Sequence, residues 1–150
     1  VNDLLRLRGP LGTFFLRDQA SKHLVLLATG TGIAPVKAIL EGLTTVGEDE
    51  QPRDVTIYWG GRHRDDLYWL PPDVPRLRFV SVLSRPGDDW SGARGHVQNV
   101  MLSDGPDLPN TLVYACGSDL MIHSAQKQLR AAGLPDGCFR SDAFVCSSST

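Results

Sequence analysis

No block of like charge stands anywhere in this sequence, and neither sign is in excess: fifteen Lys and Arg face seventeen Asp and Glu, for a net charge of −2. That balance does nothing to draw a nucleic-acid backbone, and no run reads as a charged tail. No apolar stretch approaches the roughly 18 residues a membrane helix requires, so neither a nucleic acid nor a membrane is an expected partner. Cysteine is scarce. Cys116, Cys138 and Cys146 are odd in number, widely spaced and without a C-x-x-C pair, which argues against a disulfide framework and a metal site and fits a reducing cytoplasm. Internal repeats and low-complexity tracts are lacking too. The chain opens on Val1 with no charged-then-apolar leader, the look of a piece cut from something longer, and the Ser147-Ser148-Ser149-Thr150 end reads as a frayed polar tail.

What is there suits one domain of 150 residues. Thr13-Phe14-Phe15-Leu16 reads as a short strand, followed by a polar, turn-like stretch from Gln19 to Lys22. Leu24 to Ala28 is continuously apolar and bounded by Thr29-Gly30, the pattern of a strand buried on both faces of a parallel sheet. Val36, Ile39, Leu40 and Leu43 then fall on one face of a helix expected to start after Pro35 and to end near Gly47. Further strands are expected at Val55 to Tyr58, Leu77 to Leu83, Thr111 to Cys116 and Cys138 to Arg140. Helical stripes follow at Val97, Val100 and Met101 and from Ser118 to Ala132. Strands alternating with helices predict an α/β fold: a doubly wound, mostly parallel five-stranded sheet flanked by helices.

Ligands of such sheets bind outside the carboxyl ends of the strands, and four corners there stand out. Thr29-Gly30-Thr31-Gly32-Ile33-Ala34-Pro35 sets two glycines between a buried strand and a helix, where backbone N–H groups and the helix dipole can face a pyrophosphate. Pro35 stands where a third glycine would complete G-x-G-x-x-G, a departure that the first helical turn tolerates. Gly60-Gly61-Arg62, followed by Asp66-Leu67-Tyr68-Trp69, offers close backbone approach, a guanidinium and aromatic cover. Ser84-Arg85 puts a hydroxyl and a guanidinium at a strand end, suited to a ribose or a 2′-phosphate. Tyr114-Ala115-Cys116-Gly117-Ser118 ends a buried strand on a thiol. Each corner alone also reads as an ordinary turn, a solvated charge or a small buried hydrophobe.

Taken in order, they resemble the pyridine-nucleotide domain of the ferredoxin-NADP reductase superfamily. Gly30-Thr31-Gly32-Ile33-Ala34-Pro35 resembles its G-T-G-I-A-P loop. Tyr58-Trp59-Gly60-Gly61-Arg62 with Asp66-Leu67-Tyr68 resembles its Y-x-G-x-R…D-L-Y segment, and Tyr114-Ala115-Cys116-Gly117 with Met121 its Y-x-C-G-x-x-x-M signature. Upstream, Arg8-Gly9-Pro10-Leu11-Gly12-Thr13-Phe14 resembles the G-P-x-G-x-F stretch that closes the family's flavin-binding barrel. Trp90-Ser91-Gly92-Ala93-Arg94-Gly95-His96-Val97 is similar to a stretch of the flavin-reductase and oxygenase-reductase branch, and Ser141-Asp142-Ala143-Phe144 to the end of CDP-6-deoxy-3,4-glucoseen reductases. The resemblance implies a short N-terminal remnant of a flavin-binding β-barrel over residues 1–20, an NAD(P)-binding domain over 21–146 and a tail over 147–150. The flavin-holding R-x-Y-S-x-x-S motif is absent, as is an iron–sulfur C-x-x-x-x-C-x-x-C cluster, so this chain by itself is not expected to be the complete enzyme.

The implied chemistry is hydride transfer from NAD(P)H to a flavin, FAD in the longer parent, and then electron delivery to an acceptor: an iron–sulfur centre, an oxygenase or a deoxysugar dehydrase. Thr31 and Cys116 would place the nicotinamide, a role for which the cysteine need not be a thiolate. Gly30, Gly32 and the turn through Ile33 and Pro35 would admit the pyrophosphate, with Gly61 and Arg62 beside them. Gly117 and Met121 would shape the nicotinamide slot, Ser84 and Arg85 would meet the adenosine ribose, and Phe144, Gly9, Pro10 and Gly12 would lie toward the flavin. Asp88 and Asp89, close behind Arg85, are expected to offset its charge and favour NADH over NADPH. A non-catalytic nucleotide-binding or electron-transfer regulatory subunit is the alternative.

Overall fold

The computed structural model describes residues 14–20 and 22–143. Gly9, Pro10, Gly12 and Phe144 lie outside them, as do most of the expected barrel remnant and the tail. Six strands form one sheet: β1 (His23–Thr29), β2 (Asp54–Gly61), β3 (Leu77–Leu83), β4 (Ala93–Arg94), β5 (Thr111–Gly117) and β6 (Phe139–Ala143). Every pairing is parallel, in the spatial order β4-β3-β2-β1-β5-β6. The expected doubly wound sheet is present, with six strands rather than five. The extra one is the two-residue β4, paired only to Val82 and Leu83 at the sheet edge, too short to leave an alternating pattern in the sequence.

Position in the sheet explains composition. Leu24, Leu26 and Leu27 of β1 are fully buried and all of β5 is buried, because both strands are covered on two faces. Each such leucine contributes about 1.5–3 kcal/mol. Register puts Leu26, Ile57 and Tyr114 on one face and Val25, Thr56 and Val113 on the other. Tyr58 belongs to the second face, and its hydroxyl donates to Asp104 at 2.6 Å; Asp104 caps the carboxyl end of helix α2 (Val97–Ser103). Helix α2 therefore covers that face, together with α3 (Asp119–Ala131), which it contacts through a hydrogen bond from Gln98 to Ser124 at 3.0 Å. Right-handed crossovers put α1 (Ile33–Leu43) on the opposite face.

Two local expectations are corrected. Helix α1 begins at Ile33, not after Pro35, and ends at Leu43 rather than near Gly47. Pro35 sits inside the first turn, where a missing N–H removes no helical bond. Phe14 to Leu16 is not a strand: the Tyr114 hydroxyl, rather than a neighbouring strand, accepts from the Arg17 N–H at 3.1 Å and donates to the Phe15 carbonyl at 2.9 Å. Among the described residues no helix is long and apolar enough to cross a membrane.

Candidate functional site

The chain leaves β1 for β2 on one side and later returns to place β5 on the other, so the switch point of the sheet lies between the carboxyl ends of β1 and β5. A cleft of about 950 Å³ opens there, within the range of pockets that hold cofactors. Its floor is main chain. Gly30 (φ +53°) and Thr31 follow β1, and Gly117 (φ +141°) ends β5. A β-carbon on Gly32 would collide with the Cys116 carbonyl, and one on Gly117 would collide with Thr29 Oγ1. Glycine is required at both points because two backbones touch there. Thr29 Oγ1 accepts from the Ser118 N–H at 3.1 Å and fastens one strand end to the other. The Trp59 indole, buried beneath, donates to the Gly30 carbonyl at 3.2 Å.

One wall comes from β2 and β3. The Ser84 N–H donates to the Gly61 carbonyl at 3.0 Å and the Arg85 N–H to the Arg62 carbonyl at 2.9 Å, so the two corners run side by side past the sheet. Asp66 accepts from the Arg62 N–H at 2.6 Å and the His63 N–H at 3.0 Å. These bonds, that from His63 foremost, hold its carboxyl below the ordinary carboxylate range. The exposed Tyr68 ring stands edge-on to Trp59. The other wall is the amino-terminal turns of α2 and α3: His96, Val97, Gln98, Ser118, Leu120, Met121 and Ser124. Ser118 caps α3 by accepting from the Met121 N–H. Gln98 is buried, and its Oε1 has no partner among the described residues.

Of the residues expected from the sequence, the cleft brings together Gly30, Thr31, Gly61, Arg62, Ser84, Gly117 and Met121. Gly32 and Ile33 are buried behind the loop and Pro35 lies in the first turn of α1. Arg85 is exposed next to Arg62 without lining the cleft. Cys116 is 0% exposed, facing the α1 side of the sheet with Tyr114, and burial pushes its thiol up to about 12, with Asp142 adding to the effect. It meets the site through its carbonyl behind Gly32. Asp89 lies 3.6 Å from Arg64, whose guanidinium also covers Trp90. His96, Gln98 and Ser124 were not expected, for they reach the cleft only because β4 and β5 lie on opposite sides of β1. The tryptophan-to-valine stretch through Val97 was the one signal running toward them.

A parallel sheet with a glycine cradle at its switch point defines a nucleotide-binding α/β domain. Residues 26–127 match the oxidoreductase NAD-binding domain model, and the chain belongs to that family. It is 41% identical over 153 residues to the CDP-6-deoxy-L-threo-D-glycero-4-hexulose-3-dehydrase reductase of Yersinia pestis, an alignment taking in 98% of this chain and 45% of the relative. It is 29% identical over 151 residues to reductase component 2 of a Comamonas terephthalate 1,2-dioxygenase, covering 95% of this chain and 44% of that one. The solved structure of the Amycolatopsis cytochrome P450 reductase GcoB superposes with a TM-score of 0.81 at 27% identity, over 93% of this chain and 44% of the other. The chain thus spans less than half the length of these relatives.

Proposed function

We propose that this chain is the NAD(P)H-binding domain of a flavoprotein reductase whose longer polypeptide holds FAD and passes electrons to a dehydrase, oxygenase or iron–sulfur protein in the cytoplasm. The observation that carries the reading is the cradle of Gly30, Gly32 and Gly117, where main chain replaces side chains at the switch point and leaves room for a dinucleotide. The names of the dehydrase and dioxygenase reductases lend support to the two classes of acceptor. When bound, the nicotinamide supplies a hydride and the flavin takes it up. The chain's own residues bind and orient. The N–H groups of the loop before α1, with the dipole of that helix, face the pyrophosphate. Thr31 places the nicotinamide from within the cleft and Cys116 from beneath it, keeping its proton on Sγ. Gly117 and Met121 shape the slot; Ser84 and Arg85 meet the adenosine ribose, and Arg62 lies toward the pyrophosphate. Phe144, Gly9, Pro10 and Gly12 belong to the flavin side, with residues 1–20 as the end of the flavin barrel, 21–146 as the nucleotide domain and 147–150 as a tail.

Calorimetric titration of the chain with NADH and with NADPH tests the proposal. Binding of either, with no flavin retained by the isolated chain, is the expected result. No heat at millimolar nucleotide, or a purified chain that is yellow with tightly held flavin, refutes it.

A further inference from the structure

Away from the cleft, on the α1 face of the sheet, Tyr114 does something that nucleotide binding does not require. Its ring is fully buried and meets the Phe14 ring edge-on at 5.3 Å. Its hydroxyl is saturated by one short segment, accepting from the Arg17 N–H and donating to the Phe15 carbonyl. Residues 14–18 make no backbone–backbone hydrogen bond among the described residues, so side chains hold them, this phenol first. A second clamp follows at once. Arg140 of β6 pairs with Asp18 at 2.6 Å, and Asp18 carries a positive φ of 60°, a conformation that a non-glycine residue keeps only when its surroundings enforce it. Gln19, buried, then donates to the Glu50 carbonyl at 3.0 Å. Three consecutive anchors fix the path by which the chain enters the domain.

We propose that Tyr114 is a positioning residue, a pin that fixes residues 14–18 on the sheet and thereby sets how the upstream part of the polypeptide approaches the cleft. The inference rests on the proposed function, in which that upstream part carries the flavin. Register puts Tyr114 on the same face as Cys116 and three residues before Gly117, which ends β5, so its Cα lies about 10 Å along the strand from the end at which nicotinamide and flavin are to meet. Over so short a distance a shift of the entering chain passes almost undiminished to the reacting pair, and a misplacement of about 1 Å can cost about a hundredfold in rate. The hydroxyl is a single group, removable as Tyr114→Phe with the buried ring left in the core.

The test uses the intact polypeptide and the conservative variant Tyr114→Phe, with Asp18→Asn as a second variant acting on the other clamp. Amide hydrogen exchange at Arg17 reads the pin, and rapid-mixing reduction of the bound flavin by NADH reads its effect. In Tyr114→Phe, exchange at Arg17 is expected to rise roughly fivefold to tenfold for the loss of one hydrogen bond. The reduction rate at saturating NADH is expected to fall about tenfold or more while the NADH dissociation constant stays within twofold. Asp18→Asn should move both readings in the same direction. Unchanged exchange at Arg17, or raised exchange with reduction at the wild-type rate, overturns the pin and leaves the proposed function standing. A wild-type polypeptide that holds no flavin refutes the proposed function and takes the positioning role with it.

Discussion

Trp59 and Gly30 are joined across two strands by an indole N–H donating to a carbonyl at 3.2 Å. The second strand thus holds the loop that ends the first, in a conformation with positive φ at Gly30. In Trp59→Phe an aromatic ring stays in the cluster with Trp69 and Phe79 but the bond is lost. Stability should fall by about 1–3 kcal/mol, from the hydrogen bond and the smaller ring together, and nucleotide affinity should fall several-fold. Thermal melts with and without NADH check both, and an unchanged affinity means that the loop holds its shape without the indole.

Two glycines only fifteen positions apart should respond with opposite signs. Gly32→Ala drives a β-carbon into the Cys116 carbonyl, where backbone cannot yield cheaply, and should cost about 1–3 kcal/mol and most of the nucleotide binding. Gly47→Ala meets nothing within 4 Å and has an ordinary φ of −65°. That change should be neutral or stabilise by about 0.4–1 kcal/mol by restricting the unfolded chain. Urea titrations of the two variants decide; equal effects would count against the close-approach argument.

Cys116 should be silent toward alkylating reagents at pH 8 in the native protein, because burial holds it as a thiol and the thiolate is the reactive form. Its folded value lies above the ordinary one, so the native state keeps the proton longer than the unfolded chain does. The resulting stability is fully present below pH 9.0 and is lost as pH rises toward about 12. Tyr58 and Tyr114, also raised by burial, act in the same direction. A melting temperature that climbs between pH 9 and 11 would contradict this. In the intact polypeptide, Cys116→Ala keeps the carbonyl through which the residue meets the site, so flavin reduction should slow by about tenfold at most, with binding largely spared.

In the proposed reading nucleotide choice turns on Arg85, whose N–H donates to the Arg62 carbonyl. With Asp89 beside Arg64, Arg85 is freer to meet a 2′-phosphate than the sequence alone implied, although Asp88 remains close in the chain. Arg85→Ala should weaken NADPH about tenfold and leave NADH within twofold. Competitive titrations measure it, and equal losses for both nucleotides would assign Arg85 to folding of the corner.

The glycine corners and the central strands were readable because their signals are local: Leu24 to Ala28 is apolar throughout, and Gly30 and Gly117 take the positive φ that marks a glycine turn at a strand end. What was not readable depends on residues far apart in the chain. Phe14 and Phe15 have strand-like propensity, yet their segment is bound by a tyrosine almost a hundred positions away. Gln98 and Ser124 meet only because α2 and α3 share a face. The two-residue β4 has no periodicity to detect, and its existence depends on Val82 and Leu83 being in place first.

The parallel pairing of β1 with β5 also has a kinetic side. Within this sheet the strand made first lies at the middle, but one of its two neighbours is not synthesised until β2, β3, β4 and α2 have passed. Until then β1 is an unsatisfied apolar edge, open to pairing with any extended chain nearby. Fragments that stop short of Thr111 should therefore aggregate rather than fold. Once β5 is made, closure of β1 against it should be the slow event, and the same closure completes the cradle between Gly32 and Gly117, so nucleotide affinity should emerge last on refolding.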